Sequence, residues 1–366
     1  DALVSHSLLV VRDHGLPRFH MLVTVRDFAL AQLSASGDEA EARAALHQWA
    51  VDLCSQIRFP VDSGDFGDAS HPEARHHDRL FQQVADNEAV ILQQLDRLLA
   101  QADGHGSDLL PAELRDAICL IGAALMRLWS VTWSYEHIAD YGARLIGPAV
   151  QPAQDPRGNE AGLSVLALCV TLFGLLSHVP AQVRSRLPAS FDGEGTFARV
   201  RRFLRAGDEQ WPELADDADP WVAWAATRCL AAQQEDDGDP QTSLETIEAL
   251  LGRLHSHDLA GIHLLELHLH RLQVLMSLGR YSQVIDACSR AQVLLERVLP
   301  SWGEFFRTTL QWGDAYCMVY LDPRPETATE LLERLESVDL PETIRFILRS
   351  VRGELELTRG NVRTAA

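Results

Sequence analysis

Leucine and alanine recur along most of the chain at intervals of three and four residues, with charged and polar positions between them. This spacing places the apolar side chains on one face of an α-helix, while runs of β-branched residues are short and few. The pattern predicts helices within residues 38–57, 73–101, 111–131, 133–145 and 160–177, and again from residue 221 onward. The chain is therefore predicted to be all-α.

The beginning of the sequence departs from this pattern. Two short apolar runs, Ser7–Val11 and Arg18–Leu22, flank the turn-forming residues Asp13–Pro17. Such runs predict a β-hairpin. A helix is then expected over Thr24–Leu33, and Ser36–Gly37 is expected to end it. A hairpin followed by a helix is the order expected at the end of a winged-helix module.

Turn-forming residues also divide the rest of the chain. Proline, glycine, serine and aspartate predict breaks at residues 59–72, 103–107, 191–195 and 216–220, and an exposed linker at Pro148–Gly158. The longest apolar stretch, Leu163–Leu176, is roughly 14 residues long, which is too short to span a bilayer and indicates a buried helix. No signal-peptide pattern is present.

A repeat begins after residue 221. Gly238 and Gly279 lie 41 residues apart, and Gly360 follows after a further 81, which is two periods of about 40. The intervening turn is expected near Tyr320, where Leu321–Pro325 contains two prolines. Glycine ends a helix because it adopts the left-handed conformation without a Cβ clash. Five positions after each glycine, a residue is expected to begin the packed face of a second helix: Ser243, Val284 and Ala365.

Regular turns of this kind predict stacked helix pairs, in which each pair covers the apolar side of the one before it. We therefore expect a TPR-like α-solenoid of antiparallel helix pairs, with a period longer than the 34 residues typical of tetratricopeptide (TPR) repeats. Three segments follow: a partial winged-helix module at 1–37, a helical region at 38–218, and TPR-like repeats at 219–366. No repeat period is evident within 104–218.

The charge balance weighs against nucleic acid as a partner. The net charge is −20, with 32 basic and 52 acidic residues. A surface this acidic repels phosphate backbones, whose binding depends on clustered arginine and lysine. One compact basic run occurs at Arg199–Arg205, and its helical spacing favours a solvated helix face. Binding of nucleic acid or of a membrane by this chain is not expected.

Metal and redox chemistry have little support. The six cysteines are at least 29 residues apart, no CxxC motif occurs, and most lie in apolar helical stretches. His71, His76 and His77 cluster beside Glu73 and Asp78, but adjacent residues diverge on a helix, so a polar helix start is favoured over a ligand set. His263 and His270, with Glu266 between them, favour a polar stripe over a metal site.

Residues 18–34, from Arg18 through Met21, Arg26 and Ala29 to Ser34, resemble the R-x-x-M-L-E-T-V-R-x-Y-A-x-E-x-L segment of a known family. This segment closes the winged-helix module of bacterial STAND-class regulators, which are ATP-binding transcription regulators of the SARP-type and large LuxR-type. Further similarities occur outside this segment: Leu3–Leu9, Ser36–Glu39, His47, Asp86–Val90 and Asp219–Val222.

The resemblance implies an effector domain, an ATPase core, a winged helix and a helical sensor array, in that order, in a cytoplasmic regulator of transcription such as those of antibiotic biosynthesis. The sequence would begin within the winged helix and end within a repeat. ATP or ADP would bind the core, because no G-x-x-x-x-G-K-[ST] motif occurs here. Related NTPases carry Met-His-Asp where this chain has Met21-Leu22-Val23, and Leu22 donates no hydrogen bond, so neither it nor His20 is assigned to nucleotide. No cofactor is expected in this part.

Catalysis is not expected either. Ser164, Ser177 and Ser243 lack the context of a nucleophile elbow, and Glu235–Asp239 reads as a solvated loop. No converging set of acid, base and nucleophile is visible, so we predict that this chain is not an enzyme. Five tryptophans fit either a buried core or anchors for a partner: Trp129, Trp133, Trp221, Trp224 and Trp312.

The leading hypothesis is a regulatory array whose concave surface binds a protein, a peptide or a small inducer and shifts the attached ATPase between two states. Placing each glycine at an inter-helix turn puts four side chains on the inner face of the first helices: Arg228, Glu266, Gln273 and Glu354. The rival hypothesis is an adaptor or oligomerisation scaffold with no inducer. A metal-dependent or hydrolytic helical protein is a third and weaker alternative.

Overall fold

The structure is a computed structural model, and it describes residues 9–14, 16–21, 23–57, 72–105, 109–132, 134–151, 156–173, 202–203, 206, 208–254, 261–298, 303–321, 325–337 and 342–361. The chain forms two compact units, Asp1–Asp52 and Leu53–Ala366. This division lies inside a helix, so it coincides with neither of the predicted segment boundaries, after residues 37 and 218. Each unit is described separately below.

The first unit contains a two-stranded antiparallel hairpin and helical residues. Strand β1 (Leu9–His14) pairs with β2 (Leu16–Met21), and Leu9 lies opposite Met21. Helix α1 (Val23–Ser36) and the first part of α2 (Glu39–Ser55) follow, separated by Gly37 at φ +83°. The hairpin and helices occupy the expected positions, while the winged-helix interpretation stays a prediction.

The hairpin turn is tighter than the sequence suggests. Residues 13–17 were expected to form the turn, but the two strands continue through His14 and from Leu16, and Asp13 pairs with Pro17. Proline lacks an N–H and is confined to edge strands, and in a two-stranded sheet both strands are edges. The presence of Pro17 in the sequence predicted that the strand pairing ends before it, but the pairing includes Pro17.

The second unit is built from helices in the part of the chain that the structure describes. Those helices are α3 (Pro72–Asp86), α4 (Glu88–Asp103), α5 (Ala112–Thr132), α6 (Tyr135–Ala149), α7 (Pro156–Phe173), α8 (Trp211–Ala215), α9 (Pro220–Asp236), α10 (Pro240–Arg253), α11 (Gly261–Ser277), α12 (Tyr281–Val298), α13 (Gly303–Leu321), α14 (Pro325–Glu336) and α15 (Glu342–Thr358). The all-α class is confirmed. The predicted break at 191–195 lies outside the described residues.

The predicted helix pairs are present after residue 219. The first helices of successive pairs, α9, α11, α13 and α15, begin at residues 220, 261, 303 and 342. From α9 to α15, each helix packs against the next one in the chain. The break expected near Tyr320 is also observed, because α13 ends at Leu321 and α14 begins at Pro325.

The three glycines end their helices in the same way. Gly238, Gly279 and Gly360 have φ values of +81°, +67° and +80°. In each turn the residue after the glycine donates its N–H to a carbonyl five positions earlier, as Asp239 does to Gln234 at 2.8 Å and Arg280 to Leu275 at 2.9 Å. This is the hydrogen bond of a Schellman cap, which requires a left-handed residue.

Aspartate and proline together start the first repeat pair. The side chain of Asp219 accepts hydrogen bonds from the backbone N–H groups of Trp221 and Val222, at 3.0 and 3.1 Å. Pro220 takes the first helical position, where its missing N–H has no partner to lose. Asp239 and Pro240 begin α10 in the same manner. Two consecutive helices therefore start with the same local signal.

A similar pairing extends toward the N-terminus, which the sequence analysis missed. Helices α3, α5 and α7 begin at residues 72, 112 and 156, so the spacing of 40 and 44 residues resembles that of the later pairs. Among the described turns of this region, none has a left-handed glycine; Asn87, between α3 and α4, has φ −116°. The glycine signal that revealed the later pairs is therefore missing here.

Helix α5 is buried along residues 115–130, and α4, α6 and α7 pack against it. Its Arg115 is 1% exposed and donates to the carbonyls of Pro148 and Ala149, each at 3.2 Å, at the end of α6. A Cβ added to Gly158 would lie 2.3 Å from the carboxylate of Asp116. The predicted exposed linker Pro148–Gly158 is thus wrong in extent, since both of its ends belong to packed helices.

Candidate functional site

Two of the four predicted groove residues lie together in a buried polar cluster. Arg228 on α9 donates its Nη1 to the backbone carbonyl of Glu266 on α11, at 3.0 Å. The Glu266 side chain accepts from Nη1 of Arg127, also at 3.0 Å. We call Arg127, Trp224, Arg228, His263 and Glu266 the Arg127–Glu266 cluster. It joins the long central helix α5 to the first two repeat pairs.

A tilted contact between two aromatic rings completes the cluster. The ring of Trp224 lies 4.1 Å from that of His263, centroid to centroid, and Nδ1 of His263 lies 3.5 Å from the second carboxylate oxygen of Glu266. Trp224 is 2% exposed. In the described part of the chain, neither its indole N–H nor Nε of Arg228 donates a hydrogen bond. The cluster therefore places two guanidinium groups near one carboxylate. It also contains two N–H groups, on Trp224 and Arg228, that make no hydrogen bond within the described residues.

The charge of Glu266 is stabilised by its neighbours. Burial alone would raise the pKa of this carboxyl, but Arg127, His263 and Arg228 outweigh burial and lower the pKa to about 2. With 8% of its surface exposed, Glu266 presents little of its side chain to solvent. Its carboxylate accepts a hydrogen bond from Arg127 inside the protein. Glu266 is therefore not exposed to solvent as a groove residue is expected to be.

His263 and His270 of α11 both contact α9, the first helix of the preceding pair. His270 contacts Glu235 on α9, with Nε2 and Oε1 2.5 Å apart, and Glu235 also accepts from Ser243 at 3.4 Å. Burial holds the pKa of His270 below its usual value, against the opposing effect of Glu235. Glu235 was expected to meet solvent in a loop; it belongs to α9 instead and stabilises the packing of α9, α10 and α11.

The other two predicted groove residues are separate from this cluster. Gln273 is exposed on α11. Glu354 on α15 lies half-buried beside Tyr320 of α13. The four residues therefore do not form one surface. Arg228 and Glu266 contact each other, Gln273 is exposed, and Glu354 lies beside Tyr320. Whether any of them contacts a ligand stays a prediction.

We use the name tyrosine cluster for four neighbouring side chains: Tyr281, Tyr316, Tyr320 and Glu354. The rings of Tyr281 and Tyr320 are stacked, with centroids 4.7 Å apart and planes 10° apart. Tyr316 lies 5.8 Å from Tyr281 and 5.1 Å from Tyr320. Burial, together with hydrogen bonds to Tyr316 and Glu354, raises the pKa of the Tyr320 hydroxyl. The cluster brings together side chains of α12, α13 and α15.

Arg127 was missed by the sequence analysis, although the sequence contained a signal for it. It is the single charged residue between Asp116 and Glu136, in the otherwise uncharged C-terminal part of α5. A charge in such a position requires a buried partner, because desolvation of an unpaired guanidinium is strongly unfavourable. The partner itself lies 139 residues further along the chain, and no local pattern identifies it.

The buried cysteines and tryptophans behave as core residues. Burial raises the pKa of Cys54, Cys119 and Cys317 to about 12, so these thiols stay protonated at neutral pH. Trp129 is buried like Trp221 and Trp224, and its indole N–H donates to Glu88 at 2.6 Å. The side chains of Trp133, Trp312 and Cys169 lie outside the described residues.

The described ranges contain neither a metal-binding group nor a membrane-spanning helix. No group of three or more histidine, cysteine, aspartate or glutamate residues is placed to hold a metal ion there. His76 is exposed, while His71 and the side chain of His77 lie outside those ranges. None of the described helices has the length and apolar character needed to cross a membrane.

Comparison with known proteins gave no match. No protein-family model fits the chain, and neither a curated protein nor a solved structure is significantly similar to it.

Proposed function

We propose that this chain is the regulatory sensor and protein-interaction array of a STAND-class transcriptional regulator, and that it is not itself an enzyme. The observation that carries the proposal is the set of helix pairs that begin at residues 220, 261, 303 and 342, with left-handed glycines at three of the turns. Stacked pairs of this kind generate extended surfaces for partners. We interpret them as a TPR-like solenoid.

The first unit supports the same proposal. The segment that resembles the end of a winged-helix module, residues 18–34, contains most of the second strand of a hairpin and most of the helix that follows it. In the regulators that this segment resembles, a helical array follows the winged helix. The proposal places an ATP- or ADP-binding core elsewhere in a cytoplasmic protein, and it assigns no cofactor to this chain.

The Arg127–Glu266 cluster suggests how a signal would pass through the array. An inducer or a partner protein shifts an equilibrium only if it binds one conformation better than the other. A ligand that moved α11 relative to α5 would separate Glu266 from Arg127 and leave the Arg127 guanidinium without its counter-charge. This penalty holds α11 in the paired position, and a ligand that binds the separated position more tightly would shift the equilibrium toward it.

A thermal-shift experiment tests this function. Candidate inducers and cellular extract fractions are added to the 366-residue chain and, separately, to the full-length regulator with ATP. We expect at least one fraction to raise the melting temperature of both proteins, because a ligand that binds only the folded state stabilises it by mass action. If no fraction shifts either protein, the sensor function is contradicted.

One observation favours the rival adaptor function. Two of the four predicted groove residues, Arg228 and Glu266, are already engaged in internal contacts, so they are not available to a small polar ligand. An adaptor or oligomerisation scaffold would bind proteins through other surfaces and need no inducer. Under that hypothesis extract proteins co-purify with the chain, whereas no small molecule changes its melting temperature.

A further inference from the structure

The tyrosine cluster contains side chains from one helix of each of three successive helix pairs. Tyr281 begins α12, Tyr316 and Tyr320 lie one helical turn apart on α13, and Glu354 belongs to α15. Tyr320 is 41% exposed, while the other three side chains are half-buried. A stacked aromatic pair beside a carboxylate is therefore accessible from solvent at this point of the array.

In the part of the chain that the structure describes, Glu354 differs from two other carboxylates of the helix pairs, which have basic partners. Glu266 is paired with Arg127, and Glu356 accepts from Arg359 at 3.1 Å and from Asn361 at 2.8 Å. Among the residues that the structure describes, no arginine or histidine forms an ion pair with Glu354, whose identified neighbours are tyrosine hydroxyls. A half-buried carboxylate of this kind has an unfilled preference for a cation.

The aromatic rings add a second attraction for positive charge. The face of a tyrosine ring is electronegative, and cations bind it within about 6 Å of the ring centroid. Arginine suits this site better than lysine, because its planar guanidinium stacks on a ring while donating two parallel hydrogen bonds to a carboxylate. The net charge of −20 also attracts basic partners to the chain as a whole.

We propose that the tyrosine cluster binds an arginine side chain of a partner protein, with the guanidinium stacked on Tyr320 and hydrogen-bonded to Glu354. This inference rests on the proposed function only in treating the array as a surface for proteins; it needs neither the ATPase core nor an inducer. A partner arginine would thereby be recognised by two helix pairs at once, which fixes its position along the array.

The test uses a fluorescein-labelled peptide of glycine, serine and two arginines, with both termini blocked, and the intact 366-residue chain. Binding is measured by fluorescence anisotropy at about 0.15 M salt, where exposed charges are largely screened. We expect Glu354→Gln to weaken binding about tenfold, since a charge-assisted hydrogen bond is lost. Glu356→Gln, which removes the same charge two residues away, should change affinity by less than about twofold.

Two further measurements separate the site from general electrostatic attraction. Tyr320→Leu keeps apolar bulk but removes the aromatic face, and it should also weaken binding severalfold while the melting temperature stays close to that of the unmodified chain. A lysine version of the peptide should bind more weakly than the arginine version.

Equal losses in Glu354→Gln and Glu356→Gln would show attraction by net charge alone and overturn the proposal. Absence of peptide binding would overturn it as well. Both outcomes are distinguishable from failure of the sensor function, which is measured by inducer-dependent shifts without any peptide.

Discussion

Glu266 is a buried carboxyl whose ionisation is coupled to the fold. Its pKa falls from an unfolded value of 4.5 to about 2, because Arg127 and its other partners outweigh burial. A lowered pKa in the folded state means that the pair stabilises the protein above pH 4.5. This contribution is lost as the pH falls from 4.5 toward 2. Acid sensitivity in that window therefore includes a contribution from this buried contact.

We predict that Glu266→Gln lowers the free energy of unfolding at pH 7 by about 3–5 kcal/mol, because Arg127 is left buried without its counter-charge. The variant should also lose less stability than the unmodified chain between pH 4.5 and 2. Urea unfolding at several pH values, followed by circular dichroism, measures both effects.

The control for this experiment is Glu248→Gln. Glu248 forms an ion pair with Arg271 at 2.7 Å, but its side chain is exposed. An exposed pair of this kind contributes about 1 kcal/mol or less. If Glu266→Gln is no more destabilising than Glu248→Gln, the Arg127–Glu266 cluster does not stabilise the interior.

At the scale of the helices, the glycine turns show what local sequence determines. Gly238, Gly279 and Gly360 were predicted to end helices, and all three adopt the left-handed conformation. Their signal is local, since the backbone conformation of one residue is decided within a few neighbours. The first strand, the hairpin turn and the linker at Pro148–Gly158 were predicted less well, because there pairing and packing override the local preference.

Two glycine substitutions are predicted to have opposite effects. Gly238→Ala should destabilise the chain by about 1–2 kcal/mol, because alanine is strained at φ +81° although the space around the position is open. Gly252→Ala, inside α10, also points into open space but has no positive φ, so it should stabilise the chain by about 0.5–1 kcal/mol.

The two effects are measured by urea unfolding of each variant beside the unmodified chain. Because both positions lack neighbours for a Cβ, the difference isolates backbone conformation from side-chain packing. Destabilisation of the same size in both variants would contradict the role assigned to the turn at Gly238.

Site prediction was limited by distance along the chain. Periodicity placed Arg228 and Glu266 on related helices, and the two do meet. It gave no information on Arg127, whose position against α11 depends on how α5 packs. Helical phase also cannot distinguish a face that lines a groove from a face covered by another element, so the burial of Glu266 required the tertiary structure.

At the scale of the whole second unit, contacts between sequential helices coexist with contacts between helices that are distant in the sequence. The last two pairs have a local core that includes Ala315, Leu332, Leu348 and Leu355. The Arg127–Glu266 cluster instead connects residues 139 positions apart. Stability of a repeat array is roughly a sum over neighbouring pairs, but a long-range contact makes some pairs indispensable to others.

Two truncations distinguish these kinds of contact. A chain ending at Val298 loses the local core of the last pairs but keeps the Arg127–Glu266 cluster, so we expect it to remain helical and to unfold cooperatively at a lower temperature. A chain ending at Leu254 lacks α11 with Glu266 and His263, so Arg127 loses its counter-charge and Trp224 loses the cover of the His263 ring. We expect this shorter chain to lose its cooperative transition, as measured by circular dichroism on heating.

If instead both truncated chains unfold cooperatively, with melting temperatures that fall in proportion to the number of pairs removed, then the second unit behaves as a purely nearest-neighbour array. In that case a signal received at α11 has no direct route to α5 through this cluster.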